Sequence, residues 1–222
     1  MTIKNPALKA RKQPVQARSE QTLTVIFDAT VQVLLRHGYA HLTTTRIAER
    51  AGVSVGSLYQ YFPNKQSLLA AVLGRHLDQI AEAMESACIA GKGQNAITIA
   101  HLLVDAFVDA KTNQIALSRA LYLLPAELGR DEQAAQTTAR CAKAIGTLLA
   151  THRDDIVEEP MAVFVVTTCL IGPVQALLSV EEPEAEKIAA LRVQLKQLLS
   201  GYLKGLLNEP LNGDDLHPTT DS

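Results

Sequence analysis

Between Thr43 and Lys65 the chain gathers hydroxyls and cations at spacings suited to a nucleic-acid duplex: Thr43, Thr44, Thr45, Arg46, Ser54, Ser57, Tyr59, Tyr61 and Lys65. Reading a duplex requires side chains on one face of a helix near its leading end, with hydroxyls, amides or cations beside it for phosphates. Val55, Gly56 and Ser57 occupy such a leading turn. Gly56 permits close approach but reads nothing, and Val55 offers only apolar contact, as to a thymine methyl, so direct readout is thin and no DNA sequence follows from it. Leu58 and Phe62 read as core by position and hydrophobicity. Arg46 reads equally well as a DNA contact and as a solvated helix residue.

Two short helices and a tight turn must position these groups. The Thr43 to Thr45 cluster supplies N-cap oxygens, and Ile47, Ala48 and Ala51 then form one apolar face. Gly52 suits the left-handed conformation that ends a helix, Val53 plugs inward, and Ser54 accepts from the first free N–H groups of a second helix. That helix runs from Val55 to about Phe62, where Pro63 stops the hydrogen-bond ladder. Upstream, Ser19 is expected to N-cap a helix whose Leu23, Ile26, Phe27, Thr30, Val33 and Leu34 repeat at three and four residues, ending at His37-Gly38. Tyr39 and Leu42 close the corner of a three-helix domain.

The run Ile47-Ala48, Ala51-Gly52-Val53-Ser54, Gly56, Leu58-Tyr59, Tyr61-Phe62 and Lys65 closely resembles the helix-turn-helix of the tetracycline-repressor (TetR) family of bacterial transcription regulators, over about residues 19 to 75. By matching positions, the resemblance implies a base-facing surface of Thr45, Val55, Gly56, Ser57 and Tyr61, with Thr44, Tyr59 and Lys65 at phosphates. It also implies an all-α fold: an N-terminal three-helix helix-turn-helix domain joined by a long connector helix to a helical ligand-binding and dimerisation domain. The expected divisions are 1–17, a flexible basic arm; 18–65, the DNA-binding domain; 66–207, the effector-binding and dimerisation domain; and 208–222, a disordered tail.

The charge distribution supports the motif independently. Residues 1–65 carry nine Lys or Arg against three Asp or Glu, and residues 66–222 carry twelve against twenty. The positive charge therefore sits where phosphates need neutralising. At 222 residues and 47% apolar composition the chain can bury a real core without staples. Cys88, Cys141 and Cys169 are scattered and odd in number, which fits neither a zinc site nor a disulfide framework and suits a reducing cytoplasm. Residues 1–16 lack the apolar centre of a secretory signal. No metal or cofactor is expected.

Asn64 is a good N-cap for the connector, along which Leu68, Leu69, Val72, Leu73, His76 and Ile80 draw one stripe to about Glu85. Helical patterns follow at roughly 95–111, 114–124 and 127–151, with Pro125 between the last two; neither strand alternation nor a glycine-rich phosphate loop appears. Met161 to Val180 is uncharged and approaches the length of a membrane span. Its Thr167, Thr168, Gln175 and Gly172-Pro173, and the flanking Glu158, Glu159, Glu181 and Glu182, favour a helix buried between a core and a partner subunit. Leu191, Leu195, Leu198 and Tyr202 add a second stripe, and the two helices together resemble the dimer seam of TetR-like proteins. The resemblance further implies a homodimer on a double-stranded DNA operator, without a membrane partner, released by a small apolar effector held between about Ala96 and Gln175. Activation, or action without a ligand, stays open. Two other readings remain: a helical enzyme, with Cys141 and His152, or Cys169 and His101, as the imaginable pairs, and a structural interaction module whose basic domain binds some other anion.

Overall fold

The structure, a computed structural model, describes residues 17–152, 160–179 and 183–207; the expected arm up to residue 16, the tail from residue 208 and the acids Glu158, Glu159, Glu181 and Glu182 lie outside them. The described residues contain no strand and form nine α-helices: α1 (Ala17–His37), α2 (Thr44–Ala51), α3 (Val55–Tyr61), α4 (Lys65–Ala90), α5 (Ala96–Thr112), α6 (Ile115–Tyr122), α7 (Arg130–Ala150), α8 (Pro160–Ser179) and α9 (Ala185–Leu206).

Local chemistry explains most of the boundaries. Asn64 Oδ1 accepts from the Ser67 N–H at 2.7 Å to open α4, and Asn95 Oδ1 accepts from the Thr98 N–H at 2.9 Å to open α5. Such caps contribute about 1 kcal/mol each. Gly38 closes α1 at φ 71°. Three boundaries differ from expectation. α1 begins at Ala17, so Ser19 lies in its first turn and is not the cap. Glu127 falls in a short 3₁₀ turn, Ala126–Leu128, and α7 starts only after Gly129, whose φ of 73° reverses the chain. α8 runs unbroken through Pro173, although the proline ring cannot complete that hydrogen bond.

The helices cluster into two compact units: one holds the described residues up to Asp78 together with Gln114–Ala135, the other Gln79–Asn113 with the described residues from Gln136 onward. In the first unit α1 packs on α2 and α6, and α2 on α3, around Ile26, Leu42, Ile47, Leu58, Phe62 and Leu69. The start of α4 joins this unit, where buried His76 Nε2 meets the Ser118 hydroxyl of α6 at 3.1 Å. In the second unit α5 packs along α9 and both touch α8, with Leu103, Val104, Val166, Leu199 and Leu203 buried on these three helices. Arg192 of α9 reaches Asp105 and Asp109 of α5, and Lys196 reaches Asp105, locking that pair in register.

Leu195 corrects the expected dimer stripe. It is 2% exposed and belongs to the core of its own chain, whereas Leu198, three residues on, is 58% exposed. Leu191 and Tyr202 are half-buried. The stripe read from apolar spacing thus mixes an inward and an outward face of α9.

Candidate nucleic-acid interface

The α2–α3 corner is built by its own side chains. Thr43 caps α2, its hydroxyl accepting from the Arg46 N–H at 3.3 Å. Gly52 turns the chain at φ 67°, a left-handed conformation in which a Cβ is strained, and the Val53 N–H then bonds the Ala48 carbonyl at 3.0 Å. Ser54 caps α3, accepting from the Ser57 N–H at 3.0 Å. Leu58 and Phe62 anchor α3 from below, the Phe62 ring lying 5.8 Å from that of Phe27 on α1.

The phosphate candidates are held at the edges of this corner. Thr44 and Tyr59 bring their hydroxyls within 3.2 Å, tying the start of α2 to the middle of α3, and Tyr59 remains 42% exposed. Two hydroxyls side by side on an exposed edge can share one phosphate oxygen pair. Lys65 donates to the Leu42 carbonyl at 3.3 Å and lies 5.0 Å from the centre of the Tyr39 ring, so its stem is half-buried while its ammonium retains further donors. Arg46 donates to the His41 carbonyl at 2.7 Å, which fixes the loop entering α2. Thr45 and Gly56 are exposed, and Val55 is half-buried.

Two of the expected base-facing hydroxyls are engaged elsewhere. Ser57 Oγ lies 2.8 Å from Ser54 Oγ, within the cap of its own helix. Tyr61 is turned toward α1, its hydroxyl 3.0 Å from Ser19 Oγ, because Leu58 and Phe62 rotate α3 so that position 61 flanks the core. Gln60 was not among the residues singled out from the sequence. It is exposed, one turn after Gly56, and spacing of four residues was the available signal.

The second unit offers an open groove of about 630 Å³ between α7 and α8, lined by Lys143, Gly146, Val163, Phe164, Thr167 and Thr168 among others. Thr167 and Thr168 donate to the Val163 and Phe164 carbonyls at 2.7 and 2.8 Å, so the groove receives their methyl groups rather than their protons. Its volume is within the ordinary range of small-molecule sites, ~300–1,000 Å³.

The imagined cysteine–histidine pairs gain no support as nucleophile and base. Burial pushes the thiols of Cys141 and Cys169 up, and that of Cys88 to about 12, so none supplies a thiolate at neutral pH. His152 is occupied: its Nε2 lies 2.8 Å from the Gln94 carbonyl and its Nδ1 3.0 Å from the Thr151 hydroxyl.

Comparison with known proteins places both halves in one family. Residues 26–72 match the model of bacterial regulatory proteins of the tetR family, and residues 99–203 match that of the tetracyclin repressor-like C-terminal domain, together more than half of the chain. The chain is 42% identical over 66 residues to the HTH-type transcriptional repressor KstR of Mycolicibacterium smegmatis, covering 30% of this chain and 32% of that one. It is 38% identical over 60 residues to the fatty acid metabolism regulator protein of Bacillus subtilis, covering 27% and 31%. Thus the similarity extends over about a third of the length of these curated relatives. The fatty acid degradation regulator FadR from Bacillus halodurans shares the fold, with a TM-score of 0.64 and 20% identity over 86% of this chain and 97% of that one. On these matches, which cover the corner built by Thr43, Gly52 and Ser54 as well as the helical body, the chain belongs to the tetR family of bacterial regulatory proteins.

Proposed function

We propose that the protein is a cytoplasmic, homodimeric DNA-binding transcription regulator that represses until a small apolar effector releases it. The observation that carries DNA binding is the α2–α3 corner, capped at Thr43 and Ser54, turned at Gly52, and presenting the Thr44–Tyr59 hydroxyl pair beside an exposed α3 face. Repression draws on the likeness to the transcriptional repressor KstR over 66 residues. Enzyme chemistry has no support, since the family is one of regulators and the buried thiols are protonated.

The dimer rests on α8 and α9. α8 is long and apolar enough to cross a membrane, yet a third of its most apolar stretch is buried, and Met161 is 66% exposed. With exposed Leu198 on α9, this surface suits a second copy of the chain, which also supplies the two recognition helices of a near-palindromic site. The apolar groove between α7 and α8 supports the effector.

Electrophoretic mobility shift against genomic fragments upstream of the gene, with excess nonspecific competitor, tests the reading. Survival of one shifted fragment is expected, with its loss on addition of an effector found by thermal shift. Binding that vanishes with competitor leaves only electrostatic attraction. A reporter whose output rises with the regulator would replace repression by activation.

A further inference from the structure

We infer that Gln60 is the base-reading residue of α3 and that it reads an adenine in the major groove; this rests on the DNA-binding function proposed above. α3 has seven residues, and each of its other polar side chains already has a partner within the chain. Leu58 is core, Val55 has no polar side-chain atom, and the hydroxyls of Ser57, Tyr59 and Tyr61 face Ser54, Thr44 and Ser19. The Gln60 amide is exposed and makes no hydrogen bond to any described residue.

Gly56 supplies a second, independent observation. A Cβ built there meets only Ser54 Oγ, at 3.8 Å, and its φ is not positive, so nothing inside the chain requires glycine at a position where it weakens a short helix. The backbone there is exposed and open to an approaching duplex. Residues four apart share one face of a helix, so Gln60 stands one turn after the bare backbone at Gly56 on the same exposed face of α3. A base edge can then approach α3 at the place the amide occupies. Adenine presents an acceptor at N7 and a donor at N6, and the Gln amide matches both at once.

Selection from a randomised duplex pool with the full-length wild type, Gln60→Ala and Gln60→Glu tests this. The wild-type site is expected to hold one A·T pair per half-site that Gln60→Ala no longer selects, with discrimination there falling by about five- to a hundredfold and the other positions unchanged. Gln60→Glu should move that position toward cytosine, whose N4 donates. Unfolding temperatures should match, since Gln60 is exposed. If Gln60→Ala returns the same site, bound uniformly more weakly or equally well, Gln60 contacts phosphate or nothing and the inference is overturned. Failure of the function itself looks different: the wild type would then enrich no common sequence.

Discussion

The hydroxyl of Tyr61, the last residue of α3, lies 3.0 Å from that of Ser19 in the first turn of α1. The end of the recognition helix is thereby fixed to the opposite wall of its domain. Each of Tyr61→Phe and Ser19→Ala should lower stability by roughly 0.5–1.5 kcal/mol in urea denaturation, and the double variant by less than the sum. Operator preference should not change. Strict additivity, or a changed preference for Tyr61→Phe, would return Tyr61 to the base-facing surface.

Gly56 separates stability from function. Gly56→Ala should raise unfolding free energy by about 0.5–1 kcal/mol, because alanine favours the helix and nothing obstructs it, while operator affinity falls. A variant that is both more stable and equally tight would show that DNA does not approach the backbone there.

Charge and hydroxyl contacts to phosphate differ in their salt response. Lys65→Ala should weaken all operators alike and flatten the salt dependence of binding by roughly one unit per site lost, alongside a lower Tm from the lost Leu42 and Tyr39 contacts. Tyr59→Phe should weaken binding without altering the slope, being neutral. An unchanged slope for Lys65→Ala would leave the residue a purely structural role.

Position 198, not 195, is the probe of assembly. Leu198→Glu should yield a monomer in sedimentation velocity with its helical circular dichroism retained, since the side chain is largely exposed in the single chain. Leu195→Glu should unfold the body by burying an unpaired charge. A dimeric Leu198→Glu protein would move the interface elsewhere.

Acid titration reads the α5–α9 lock. Burial alone would push Asp105 up, but hydrogen bonds from Lys196 and Arg192 outweigh it and hold the carboxyl below its ordinary range. Its stabilisation is therefore full above the unfolded pKa, about 4, and is lost as pH falls through the folded value. The stability difference between wild type and Arg192→Gln should be constant above about pH 5 and shrink below pH 4, as followed by thermal unfolding. A difference independent of pH would mean that Arg192 contributes only packing.

Thr43, Gly52, Ser54 and Asn64 did in the structure what their types and positions imply, because a cap or a left-handed turn is completed within three or four residues of itself. The helix-turn-helix corner, the all-helical body and the core roles of Leu58 and Phe62 were legible in the sequence for that reason and through apolar period. Ser19, Tyr61 and Leu195 were not. Ser19 has the composition of a cap yet bonds across the domain, Tyr61 follows the rotation that Leu58 and Phe62 impose on α3, and Leu195 points inward while Leu198 points out. Gln60 stands out only beside neighbouring hydroxyls that already have partners within the chain. Sequence by itself determined the caps and turns that are completed within a few residues, and where an apolar stripe runs; tertiary structure decided which way each stripe faces, since that depends on partners distant in the chain.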